Sequence, residues 1–574
     1  MKNRPPNFCS FWLLTGILIS GLALPPWAAA GEKPDVLLST MQQELQRAQA
    51  SLGKLDPAPY FVSYSVYDQS VAMAVGSQGS LVTSTRARRR TADVTMRIGT
   101  AALDNSHQQN RGSARSSGAL PLDDDRNAIA HEFWRLTYEE YRKASKAYAG
   151  VKTNSKVQAQ EEDTSPDFSE EKPPTHVDYK EVAAPPDQRL LEKFVRDVSA
   201  PFRKYPYIYA SAVVISAQTT RFHFASTEGN HVVAPSAFIR VAIEAETRAD
   251  DGMELVRVET FQAETLDHLP QTSDIAARVD KMASDLKALR AAPVAEPYDG
   301  PALLSGRAAA VFFHEVLGHR LEGHRQRGEQ EGQTFTKKVG QPVLPAFLSV
   351  VDDPTLQKLN GLDLGGWYEF DDEGMPATRV EVIQNGVLKN FLMSRMPIKN
   401  FSNSNGHGRS QAGLMPTGRQ GNLIVSSTHT VKDSQLRQML IDEVKKQGKP
   451  YGLYFEDIQG GFTLTQRSLP QAFQVLPVLV WRVYADGRPD ELVRGIDIVG
   501  TPLAALNRIL VTGDKTDVFN GICGAESGQV PVAAAAPAML FSEIEVQKRA
   551  HSLTRPPVLS PPSESPTKPA GPTQ

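Results

Sequence analysis

The chain has 574 residues, 62 of them Lys or Arg and 65 Asp or Glu, for a formal net charge of −3. So even a balance excludes a dominant nucleic-acid surface or a polyanionic substrate, and the length allows roughly two to four domains. The only cysteines are Cys9 and Cys523, too few for a disulfide framework.

Lys2 and Arg4 precede an apolar run from Phe8 to Leu24, followed by Pro25-Pro26 and Ala28-Ala29-Ala30. This charged, apolar, small-residue order predicts a cleaved secretory leader over residues 1–30, and with it an exported protein, periplasmic or secreted. The apolar stretch is short for a bilayer span and no stop-transfer charges follow it, so no stable membrane span is expected after cleavage. Retention as an uncleaved anchor is the alternative. Cys9 lacks the neighbours of a lipidation site. Cys523 is then left alone, as a small buried side chain, an intermolecular bridge or a metal ligand.

Leucines and methionines at helical spacing predict a helix over Asp35 to Lys54. Tyr60 to Tyr67 alternates as a strand, and Ser80 to Ser84 and Asp93 to Ile98 are further strand-like pieces. Asn105 to Ser117 reads as a loose loop. Ile129 to Tyr148 is a helix opening after Asp123-Asp124-Asp125. Lys152 to Pro185 is polar and reads as a surface loop or local insertion. A helix over Arg189 to Ser199 precedes strands at Tyr207 to Gln218, Arg221 to Ser226 and Phe238 to Glu246, with a turn at Glu228-Gly229-Asn230. Thr272 to Ala291 is helical.

From Asp299 the pattern changes. A helix over Ala308 to His319 leads into short strands such as Leu344 to Val351, Arg379 to Gln384, Val387 to Leu392 and Leu476 to Tyr484. Asn385-Gly386 marks a tight hairpin. Later helices are expected at Gln435 to Gln447 and Pro502 to Arg508. The expected fold is α+β: a mixed N-terminal domain, then a mostly β C-terminal domain carrying the motif helix. The divisions are a leader at 1–30, an α+β region at 31–297 with a polar insertion near 150–186, a mostly β region at 298–553, and a disordered Pro/Ser-rich tail at 554–574.

The segment Phe312-Phe313-His314-Glu315-Val316-Leu317-Gly318-His319 sets two imidazoles and a carboxylate side by side, and Gly521-Ile522-Cys523-Gly524 supplies a thiol. Zinc takes nitrogen and sulfur ligands and keeps one position open in catalytic sites. His314, His319 and Cys523 would fill three positions, with Glu315 placed to accept a proton from water. Histidines five apart on an ideal helix point about 140° from each other. The helix is therefore expected to end near Gly318, leaving His319 on the exiting turn. The bland reading is a helix end with surface histidines. Glu322 and His324 read either as supporting or replacement ligands or as a solvated face. His407 is a reserve ligand or part of an ordinary loop. Gly460-Gly461-Phe462-Thr463-Leu464-Thr465 reads as a strand, either buried or offering an edge to a peptide.

Taken in order, these segments resemble the TldD/PmbA family of metallopeptidases, on its TldD side. The resemblance rests on the histidine-glutamate segment through Arg320-Leu321-Glu322-Gly323, on Asp371-Asp372-Glu373-Gly374, Asn385-Gly386-Val387-Leu388-Lys389 and Asn405-Gly406, and on the Cys523 segment. It covers most of Pro301 to Val530, with Ser226-Thr227-Glu228-Gly229 fitting further upstream. It implies zinc held by His314, His319 and Cys523, Glu315 as catalytic base, and small or unfolded peptides as substrates. It also implies a dimer, either of like chains or with a PmbA-like chain. The leader, the enlarged Ile129 to Pro185 region and His324, where the family commonly has an acidic residue, depart from the pattern and favour peptide turnover outside the cytoplasm. Alternatives are an inactive, zinc-stabilised assembly or peptide-binding subunit, a zinc amidohydrolase acting on modified or cell-wall peptides, and a thiol nucleophile at Cys523.

Overall fold

The alternation that starts at Tyr60 runs far beyond it. In the computed structural model, strand β1 (Pro59–Ser77) and strand β2 (Ser80–Thr100) form one long antiparallel hairpin, Tyr64 opposite Val94 and Val71 opposite Ala87. The structure describes residues 35–549 apart from 108–114, 155–163, 182–183, 328–330 and 467–471. The expected leader at 1–30 and tail at 554–574 lie outside the described residues. The separate strands expected at Ser80 to Ser84 and Asp93 to Ile98 are one strand. The Arg86–Arg90 run between them hid it, because its charges lie on a largely exposed stretch and pair across the hairpin, Arg88 with Asp68 and Arg89 with Gln69.

Helix α1 (Val36–Leu52) and helix α2 (Arg126–Asn154) flank this hairpin. A two-residue strand β3 (His176–Val177), helix α3 (Gln188–Ser199) and three strands follow: β4 (Ala210–Ser226), β5 (His231–Arg248) and β6 (Glu254–Ala263). Helix α4 (Thr272–Ala291) closes the region. The long strands run in the order β2-β1-β4-β5-β6, with β3 parallel to the start of β5. The strands at Tyr207 to Gln218 and Arg221 to Ser226 are joined in β4, and β6 was not anticipated.

Successive side chains on a strand alternate between faces, and that alternation builds the layers. Val62, Tyr64, Val66, Ala72 and Ala74 of β1 pack with the helices. Tyr67 faces the other way, with Phe222 and Phe224, onto Phe370 and Ala412 of the C-terminal region. Residues 167–169 of the polar stretch are buried between the two regions, whereas most of 170–181 lies on the surface as expected. Asp167 N donates to Ala101 O, Ser169 N donates to Arg395 O, and Phe168 is buried.

The C-terminal region opens with strand β7 (Tyr298–Leu304) and helix α5 (Gly306–Val316). Strands β8 (Leu348–Asp352), β9 (Val380–Gln384), β10 (Val387–Leu388) and β11 (Asn422–Ser427) precede helix α6 (Asp433–Lys446). Then come β12 (Tyr451–Thr463), β13 (Phe473–Tyr484), β14 (Ile496–Gly500), the short helix α7 (Pro502–Leu506), β15 (Ile509–Ala525) and β16 (Gly528–Lys548). The β9–β10 hairpin turns through Asn385 (φ 48°) and Gly386 (φ 78°), the two positive φ values that a tight hairpin turn needs.

The sheet runs β10-β9-β8-β11-β16-β14-β13-β12-β7, and β7 also pairs with β16. Five strands thereby close into a ring, packed against α5. The whole is α+β, a mixed N-terminal region followed by a predominantly β C-terminal one.

Candidate metal centre

Every residue of helix α5 except Arg307 is buried, as expected of a helix apolar on nearly all sides. Ser305 caps it, accepting from Ala308 N at 3.1 Å and donating to Glu456 O at 2.8 Å. Phe312 is wedged edge-on between Phe473 and Phe541. The helix ends at Val316, and Gly318–Leu321 forms a 3₁₀ turn. That change of pitch brings His314 and His319 to a ring separation of 5.0 Å, with the planes at 74°.

Gly318 permits this by leaving room rather than by backbone freedom. Its φ is not positive, but a Cβ there would overlap the Gln420 carboxamide. Arg320 folds back and donates to Glu315 O at 3.3 Å and Val316 O at 3.0 Å, satisfying carbonyls that a helix end leaves orphaned. Its guanidinium is almost wholly buried. Burial, with Arg325 nearby, pulls its pKa down to about 10.

Cys523 arrives from the β15–β16 hairpin, opposite Val530. Strand alternation turns Ile522 to the other face, where it lines a cavity. Arg419 holds the hairpin by donating to Cys523 O at 2.9 Å and Ser527 Oγ at 2.7 Å.

One donor atom each from His314, His319 and Cys523 falls within 4.8 Å of the others. Cys523 Sγ is 3.5 Å from His319 Nε2, and Glu315 Oε2 is 3.9 Å from the same nitrogen. The buried His314 Nδ1 has no hydrogen-bond partner. Burial pushes the Cys523 thiol up, but the imidazoles of His319 and His314 outweigh it and hold the thiol well below its ordinary range. Two nitrogens and a thiolate, solvent-poor and convergent, fit zinc.

Behind His319 stands Glu322, its Oε1 3.2 Å from His319 Nδ1. A carboxylate there fixes the imidazole tautomer so that Nε2 faces the centre. Glu322 has no exposed surface; Arg325 donates to it at 2.7 Å and Arg419 approaches at 3.5 Å. Burial raises its pKa, yet His319, Arg325 and Arg419 more than reverse this and leave it at about 2.

His324 is not in the cluster. It pairs with Glu526, which also accepts from Arg325 at 3.0 Å. His407 also lies elsewhere, fully buried, 3.3 Å from Asp352 and within reach of Asn405. Sequence reasoning missed Arg325, Arg419, Gln420 and Glu526. Of these, Arg325 and Glu526 carried a local sign, one just after His324 and the other in the turn after Cys523.

Gly461 of β12 lies beside the centre, where a Cβ would come 3.0 Å from Glu315 Cγ. Strand β12 pairs with β13 along its length but with β7 only at Leu453–Phe455. Among the described residues, its other edge from Ile458 to Thr463 has no strand partner.

Residues 297–548 match the family described as the PmbA/TldA metallopeptidase C-terminal domain. A metalloprotease TldD homolog of Haemophilus influenzae is 27% identical over 250 residues, covering 43% of this chain and 48% of that protein. A metalloprotease of Archaeoglobus fulgidus is 28% identical over 239 residues, covering 42% and 51%. The chain thus spans about half the length of these curated relatives. The structure also superimposes on TldE from Thermococcus kodakarensis with a TM-score of 0.58 at 13% identity, covering 88% of this chain and 100% of that one. At that identity the likeness is one of fold.

Proposed function

From the match of residues 297–548 to the PmbA/TldA metallopeptidase C-terminal domain, we propose that this chain is a zinc-dependent peptidase acting on small or unfolded peptides. The observation that carries the reading is the buried convergence of His314, His319 and Cys523 with Glu315 beside them. The three would hold the ion, and Glu322 would orient His319 from behind. Zinc bound there would polarise the scissile carbonyl and make an attacking water more acidic. Glu315 takes the proton from that water and returns it to the leaving amine nitrogen. The edge of β12 beside Glu315 suits an extended peptide, which would pair through its backbone and so with weak sequence preference.

Export through the 1–30 leader, and dimerisation with a second copy or a PmbA-like chain, belong to the same proposal. Among the described residues no helix is long and apolar enough to cross a membrane.

The test is metal content of the purified protein together with cleavage of unfolded casein, for wild type and Glu315→Gln. About one zinc at this centre, wild-type cleavage, and a loss on the order of 10²–10⁴-fold in the variant are expected. Zinc without cleavage in either protein would favour the inactive assembly subunit or an amidohydrolase with a different substrate. A second reading has support in the 3.5 Å contact between Cys523 Sγ and His319 Nε2, which also suits a thiol nucleophile. Cleavage that survives complete metal removal would select it.

A further inference from the structure

A second group of metal-competent side chains lies far in sequence from the centre. His176 and Asp178 flank Val177 at the end of β3, and residues two apart on a strand share a face. The strand is anchored by its pairing to Val232 and Val233 and by Asp178 N donating to Val233 O at 2.9 Å. Glu369 comes from the C-terminal region. Its backbone is fixed by Ala377 N donating to Glu369 O at 2.9 Å and by the bridge between Phe370 and Pro376. Phe370 packs its ring against His176 at 4.9 Å.

One donor atom from each of the three residues falls within 4.8 Å of the others. His176 Nε2 is shut off from solvent and has no hydrogen-bond partner. Glu369 Oε2 is 3.8 Å away, too far for a hydrogen bond. It is close to the roughly 3.3 Å that separates two ligands of a tetrahedral ion with bonds of about 2.0–2.1 Å. The histidine and glutamate side chains are each about two-fifths exposed, at 40% and 41%, so the site lies at the surface although Nε2 itself is covered.

We propose that His176, Asp178 and Glu369 form a second divalent-metal site, which clips the segment carrying β3 to the loop that continues into Asp371 and Asp372. An imidazole and two carboxylates carry two negative charges, matched to a divalent cation. The nitrogen donor selects a transition ion such as zinc or cobalt over calcium or magnesium, which prefer oxygen throughout. Lys180 is the local competitor, with its ammonium 3.4 Å from Asp178 Oδ2. Its side chain is 82% exposed and is free to swing into water. Asp178 Oδ1 accepts from Lys180 N at 2.8 Å, which leaves Oδ2 for the ion. Glu369 also stands in the wall of a cavity of about 600 Å³ lined by Tyr67, Phe222 and Tyr368, so an ion here would stiffen that wall. The site has no thiolate, which separates it spectroscopically from Cys523.

The full-length protein, stripped with chelator, would be dialysed against Zn²⁺ and, separately, Co²⁺. Two equivalents are expected in wild type and one in His176→Ala or Glu369→Ala. The cobalt form of those variants would retain the thiolate-to-cobalt charge-transfer band, which also reports an intact fold. Cys523→Ser would lose that band and keep one equivalent. Unchanged stoichiometry in both His176→Ala and Glu369→Ala would overturn the proposal. A wild type that binds one ion without the thiolate band, and loses it in His176→Ala, would sink the Cys523 centre and leave this site standing.

Discussion

A fully buried carboxylate is costly unless cations and donors surround it, and Glu322 has two guanidinium groups, Arg325 and Arg419, beside the His319 ring. Its work is to set the direction of His319. Glu322→Gln, equal in shape, is expected to weaken zinc binding by roughly 10–100-fold, read by competition with a chromogenic chelator; unchanged affinity would mean that His319 needs no support. The residue types of the centre could be read from the sequence because His314 and His319 are near each other in any fold. Arg419 could not, since it meets Glu322 only through the tertiary structure. Gly318 was legible as a necessary glycine but for the wrong reason. Spacing says that the helix must change direction there, whereas the crowding by Gln420 depends on a residue about a hundred positions away.

At the level of elements, α2 carries an unusual burden. Glu140 is buried on its inner face, accepting from Ser116 Oγ at 2.9 Å. Burial dominates and lifts its pKa from 4.5 to about 7, against the pull of Ser116 and Lys143. Because folding raises this acid above its unfolded value, its contribution is whole below about pH 4.5 and is lost as the pH rises through about 7, a span on the order of 3 kcal/mol. Glu140→Gln should therefore gain on wild type in melting temperature as pH rises across that window. Parallel melting curves would show that the carboxylate is not strained. The helix itself was plain from its periodicity. Strand β2 was not, because an arginine run resembles a solvated loop until its partner strand supplies Asp68 and Gln69.

Across the whole molecule, ion pairs tie the two regions together. Arg395, 1% exposed, grips Glu228 through two hydrogen bonds of 2.6 and 2.7 Å and lies over Phe168 at 4.0 Å. Glu228→Ala removes that guanidinium's bidentate carboxylate and leaves it Ser169 O, and is expected to cost about 1.5–3 kcal/mol in urea unfolding. Glu228→Ala with Arg395→Ala should cost less than the two single losses added together. Strict additivity would show that the pair does not hold the regions. The order of α+β and mostly β regions was legible from the change in pattern near Asp299, but their contact was not, since nothing local marks Glu228 and Arg395 as partners.

The ring closed by β7 and β16 has a temporal meaning. Leu304 pairs with Met539, and Ala302 with Phe541, so the first strand of the region waits for its last described strand before it gains that neighbour. Cys523 comes just ahead of the same closing strand. During synthesis the two histidines emerge some two hundred residues before their thiol, and α5 must stay sheltered or soluble until then. Contacts so distant in sequence make folding slow and leave apolar surface open meanwhile. The His314–His319–Cys523 cluster is thus deferred until the β15–β16 hairpin has emerged, and a product ended before it carries both imidazoles without the sulfur.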